Sequence, residues 1–169
     1  MRTIKGLIFT LSLTVVFAAV AAGQTLVSLD GTRVNVNAQR GKVVVLSVGA
    51  NWLPLSAKEA DYTNTLVKKY AGKEVVFYFI ATDSLSPSSK NFASNDALQK
   101  FATTNKLTIP LLRDPDGAGT YKRYGIDQVP SFVILDKNGV QSGPAFGGID
   151  PKYDITIPIS KEIDKLLRS

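Results

Sequence analysis

The chain has 169 residues, 44% of them hydrophobic and 20% charged, enough for one folded domain with a real core. It has no cysteine and no histidine, which excludes disulfide frameworks, Ser-His-Asp and Cys-His catalysis, and zinc sites of the usual donors. The formal net charge is +6, and the Lys and Arg residues look scattered, the densest spots being Lys68-Lys69 and YKRYG at 121–125, so solvated faces explain them and no nucleic-acid signature or polybasic membrane patch is visible.

Residues 1–23 read as a secretory signal peptide: Arg2 and Lys5 precede an apolar stretch from Leu7 to Val20, then small-residue cleavage sites at Ala19-Val20-Ala21 and Ala21-Ala22-Gly23. The apolar stretch is short for a span of about 20 residues. Cleavage would leave residues 24–169 as the domain. With Arg2 and Lys5 gone, 18 basic residues face 14 acidic ones, a net +4. No stable membrane anchor is then expected, and the compartment is a periplasm or the outside of the cell.

In chain order, Leu26 to Val36 holds two short alternating runs around Asp30-Gly31, a hairpin signal. VVVLSVG (43–49) is apolar on both faces, as a central strand should be. Ala57 to Ala71 has helical spacing through Ala60, Leu66, Val67 and Tyr70, with Lys68 and Lys69 in the last turn and Gly72 past it. EVVFYFIATD (74–83) is a second buried strand, and 84–95 a polar loop in which Ser94 or Asn95 caps a helix to about Thr103. Thr108 to Leu112 is extended, Asp114-Pro-Asp-Gly117 is a turn without a calcium loop's ligand pattern, and a short helix covers Gly119 to Tyr124, ended by Gly125. SFVILD (131–136) is a third buried strand, followed by a turn at 137–139 and a strand from Val140 to about Ala145. Ile159 to Leu167 is amphipathic, with Ile159, Ile163, Leu166 and Leu167 on one face. The order predicts an α/β layered fold with a mixed central sheet, flanking helices and an N-terminal β-hairpin.

Between the first buried strand and its helix lies GANWLPLSAKE (49–59), which has the outline of a reactive loop. Together with LDG (29–31), GKVVVL (41–46), ANW (50–52) and YGIDQVPSFVILDKNG (124–139), it makes the chain resemble the thioredoxin fold. The nearest likeness is to the exported redoxin branch: the alkyl hydroperoxide reductase and thiol-specific antioxidant superfamily, and the cytochrome-maturation thioredoxins. The likeness covers about Leu26 to Leu167 and implies a thioredoxin-like three-layer fold.

The family motif W-C-x-x-C, followed by a basic residue, any residue and Glu, falls on Trp52 to Glu59. Trp52, Pro54 and Glu59 match. Leu53 stands at the nucleophile's place and Ser56 at the resolving cysteine's. Disulfide exchange needs a thiolate and a second thiol, so no catalytic residue, metal or cofactor is expected. Ser56-Ala-Lys-Glu59 also has the form of a capping box. The resemblance implies a cis bond before Pro130, whose preceding backbone pairs with an extended peptide in relatives. Trp52, Leu53, Pro54, Leu55, Val129 and Pro130 would then form an apolar binding surface, although Leu53 could equally be buried. The expected role is a redox-inactive module that binds or scaffolds an extended peptide or another envelope protein. The alternatives are a structural subunit whose partner covers the loop, a non-thiol enzyme, or an oxidoreductase by family label only.

Overall fold

A computed structural model describes residues 23–150 and 152–169. The predicted signal peptide lies outside the described residues except for Gly23. Seven strands form one sheet: β1 (Thr25–Ser28), β2 (Arg33–Asn35), β3 (Val43–Gly49), β4 (Val75–Ala81), β5 (Leu111–Arg113), β6 (Ser131–Leu135) and β7 (Phe146–Gly147). Four helices join them: α1 (Ser56–Lys69), α2 (Asn95–Thr104), α3 (Thr120–Tyr124) and α4 (Thr156–Arg168). The sheet order is β2-β1-β5-β4-β3-β6-β7. β3, β4 and β5 run parallel, while β6 runs antiparallel to β3 and the β1–β2 hairpin antiparallel to β5. This is a thioredoxin-like mixed sheet with flanking helices.

Every residue of β3 is buried, because helices cover one face of the sheet and loops plus α3 the other. Val43 and Val45 pack with Leu66 of α1 and Ile159 and Ile163 of α4. Val44, Leu46 and Val48 point the other way, onto Tyr124 and Val36. α2 covers Phe79 and Leu111. Its N-cap is Ser94, whose hydroxyl accepts from the Ala97 amide at 3.1 Å. α3 ends at Gly125, whose φ of +62° is a left-handed conformation that glycine adopts without strain.

One predicted strand is wrong in extent. The stretch from Val140 to Ala145 contributes a single bridge, Leu135↔Gln141, and pairing resumes only at β7. Gly143 takes φ +73° and Pro144 has no N–H to offer the ladder. Val140 is 61% exposed, so its apolar side chain was no sign of a buried face.

The register sets the functional end. Gly49 pairs with Ala81, Ala81 with Arg113, and Val48 with Ser131. The loop after β3, the loop after β4 and the start of β6 therefore meet at one end of the sheet, where open α/β sheets place their ligands.

Candidate functional site

The 50–56 loop folds as two consecutive turns. The Leu53 amide donates to the Ala50 carbonyl at 3.2 Å, and the Ser56 amide to the Leu53 carbonyl at 3.1 Å. Ser56 is 2% exposed, and its hydroxyl donates to the carbonyls of Ala50 and Leu53, the latter at 2.8 Å. The capping-box expectation is therefore corrected. α1 begins on Ser56, its N-cap is Leu55, and no side chain caps it. With Ser56 one place inside the helix, its hydroxyl turns back to the loop carbonyls.

Glu59 does not reach back to a helix amide either. It is fully buried, and Ser47 donates to its Oε1 at 2.8 Å, while Thr63 donates to Ser47 at 3.0 Å. Its Oε2 has no hydrogen-bond partner. Burial pushes the carboxyl up to about 8, partly opposed by the Ser47 bond and raised further by Asp83. Glu59 is thus neutral over most of the physiological range.

Gly49 makes the room for it. A Cβ at 49 would stand 2.1 Å from Glu59 Oε2. Gly49→Ala is expected to lower stability by about 3 kcal/mol, as overpacking of a closed core does. Chemical denaturation checks this. Adding Glu59→Ala should restore part of the loss, since it removes the colliding group.

Asp83 is fully buried and was not singled out from the sequence. Its carboxylate accepts from the Asn51 amide at 3.1 Å and so holds the first residue of the Trp52 turn. Burial is the main cause raising its carboxyl. A second tie runs from the Tyr121 hydroxyl to Thr82 Oγ1 at 2.9 Å, and from Thr82 to the Gly49 carbonyl at 3.0 Å. Arg113 is 7% exposed, and its guanidinium donates to the carbonyls of Ala93 and Asp83 and to Asn95 Oδ1, pinning the 84–95 loop. Arg113→Met should release that loop. Amides 84–93 are expected to exchange at least tenfold faster in hydrogen-exchange measurements, because each charge-assisted bond contributes about 1.5 kcal/mol or more.

This polar layer supports the surface residues named from the sequence. Trp52 is 49% exposed and Pro54 is exposed, while Leu53 and Leu55 are half-buried. Leu55 packs on the α1–α4 side of the core, and Val129 on the opposite side. Pro130 is buried, and the Val129–Pro130 peptide bond is cis. Among the described residues, neither the N–H nor the C=O of Val129 has a hydrogen-bond partner. A small pocket lined by Tyr121, Ile126 and Val129 opens beside it.

The chemistry is bounded by this geometry. No thiol exists in the chain. The two fully buried acids, Glu59 and Asp83, expose nothing to a substrate. Among the described residues, no group of three or more acids is placed to hold a metal ion.

Comparison with known proteins agrees on the scaffold. Residues 18–140 match the model of the AhpC/TSA family. The thioredoxin-like protein YneN of Bacillus subtilis is 30% identical over 120 residues, 69% of this chain and 63% of that protein. The thiol-disulfide oxidoreductase ResA of Bacillus thuringiensis is 28% identical over 111 residues, 66% of this chain and 58% of its own length. The match thus spans less than two thirds of these curated relatives. Among solved structures, a thioredoxin-like protein from Aeropyrum pernix superposes with a TM-score of 0.67 at 20% identity, covering 85% of this chain and 89% of that one. The exposed lipoprotein thioredoxin Etrx1 of Streptococcus pneumoniae superposes with a TM-score of 0.63 at 21% identity, covering 86% of this chain and all of that one.

Proposed function

We propose, from the premise that the chain belongs to the AhpC/TSA family and carries no thiol, that it is a redox-inactive binding module of the cell envelope. Its site is the loop Trp52–Leu55 together with the backbone at Val129. The observation that carries this reading is that, among the described residues, the N–H and C=O of Val129 are unpaired at the same end of the sheet as a half-exposed tryptophan. An extended segment could add there as a short strand, its backbone meeting Val129 and its apolar side chains meeting Trp52 and Pro54. Such pairing uses the family's scaffold without its chemistry. A large aromatic at the centre of a contact surface commonly carries most of the binding energy.

The predicted signal peptide places the module outside the cytoplasm, in a periplasm or the extracellular space. No helix of the described residues is long and apolar enough to cross a membrane. The partner is an exported protein or an unfolded segment of one.

Trp52 is exposed enough for replacement without loss of the fold. Trp52→Ala is expected to weaken partner recovery by about thirtyfold, the size of a typical hot-spot truncation. Quantitative co-purification from the exported fraction of the host measures it. Equal recovery by both proteins would remove Trp52 from the site.

A further inference from the structure

We propose that the end of the molecule opposite the loop is an electrostatic docking face for an anionic lipid bilayer. The inference is independent of the groove reading. At this end β3 and β4 begin, β6 finishes, and α1 and α4 terminate. Four separate stretches bring Arg40, Lys42, Lys69, Lys73, Lys137 and Arg168 here. Apart in sequence, they look like solvated singletons; the fold collects them. Lys69, Lys73, Lys137 and Arg168 surround an open concavity of about 600 Å³.

Three acids, Glu74, Asp136 and Asp164, oppose the six cations at this end, which leaves an excess of positive charge. Asp136 accepts the amides of Asn138 and Val140, and Asp164 accepts the Tyr70 hydroxyl at 2.9 Å. That leaves Glu74 as the nearby acid lining the concavity without such a bond. Among the described residues the ion pair is Lys165–Glu162, so none of the six cations is neutralised by a partner. Helix dipoles account for part of the pattern, since Lys69 and Arg168 sit in last turns and Lys137 Nζ donates to the Leu167 carbonyl at 3.1 Å. They do not account for Arg40, Lys42 and Lys73, which lie on loops.

The form of the patch favours a plane of phosphates over one small anion. Five of the six cations are exposed on flexible stems around a rim, and Lys137 is half-buried among them; no buried donors converge on a point. A bilayer surface attracts such a set additively, and the attraction is screened by salt. The other end carries Asp83, Asp114, Asp116 and Asp127 against Lys58, Lys90 and Arg113, so it lacks the excess of cations and the lipid's field favours contact through the opposite end.

Sedimentation with lipid vesicles tests this on the processed chain as its exporting host releases it. Binding is expected to vesicles containing one-third phosphatidylglycerol, not to pure phosphatidylcholine, and should fall as salt rises. The triple variant Lys69→Glu, Lys73→Glu, Arg168→Glu should bind at least a hundredfold more weakly, at about fivefold per cation removed. The control Lys58→Glu, Lys90→Glu, Lys152→Glu changes the net charge equally and should bind like wild type. Circular dichroism confirms the fold of both. No binding to anionic vesicles, equal loss in both variants, or release by inorganic phosphate but not by chloride at matched ionic strength would overturn the proposal.

Discussion

The double variant Leu53→Cys, Ser56→Cys is expected to gain thiol–disulfide exchange that the native chain cannot perform. The Ser56 amide is bonded to the Leu53 carbonyl at 3.1 Å, so positions 53 and 56 close one turn. Turn ends lie within about 7 Å between Cα atoms, compatible with the roughly 4.4–6.8 Å span of a disulfide. Position 56 is the first residue of α1, where the helix dipole favours a thiolate. Trp52, Pro54, Glu59 and Pro130 are already present. Turnover in an insulin-reduction assay should rise from nothing to a measurable rate. Each single variant should lack turnover, since one thiol attacks and the other resolves. A double variant whose two thiols do not oxidise to an internal disulfide would show that the loop has drifted as well as lost its chemistry.

The second large effect is a dependence of stability on pH that runs through Glu59. Its carboxyl titrates near 8 in the folded chain and at its ordinary value of 4.5 once unfolded. Between these values the folded state holds the extra proton, so the stability Glu59 contributes is complete below about pH 4.5. It is lost as pH rises toward 8. Above pH 8 the folded chain carries a buried charge whose Oε2 has no partner. Glu59→Gln keeps the shape and the bond from Ser47 while removing the titration. At pH 9 the variant is expected to be more stable than wild type by about 2 kcal/mol, with the gap closing by pH 5. Urea unfolding across pH 4–9 measures the difference. A constant gap would mean that Glu59 ionises in the fold as it does in water.

Both expectations concern residues that the sequence presented with different clarity. β3, β4, β6 and the body of α1 were legible because long apolar runs and helical spacing decide burial locally. The loop was legible as a frame, since Trp52, Pro54 and Glu59 hold the spacing of W-C-x-x-C and its trailing acid. Its supports were not. Asp83 closes the Trp52 turn only because Gly49 pairs with Ala81 across the sheet, and that register is a property of the folded chain. Arg113 looked like an ordinary surface charge until its pairing with Ala81 set it beneath the 84–95 loop. Ser56 and Glu59 formed a plausible capping pair on spacing alone. The helix starts one residue earlier than that pairing needs, and the room left by Gly49 lets the acid turn inward. The strand expected after residue 139 failed for a similar reason, because Gly143 and Pro144 interrupt pairing that Val140 seemed to begin.

In this chain a family's chemistry and its scaffold are separated. The thiols are gone, while the turn, the cis bond and the buried polar layer beneath them persist. What remains to be tested is contact. A photoreactive phenylalanine at Pro54 in the native host, with one at Lys100 on the exposed face of α2 as control, measures it most directly. Discrete covalent adducts to an exported protein are expected from position 54 and none from position 100, with the yield from 54 reduced by Trp52→Ala. Equal labelling from both positions, or none from either, would contradict a working contact surface at this loop.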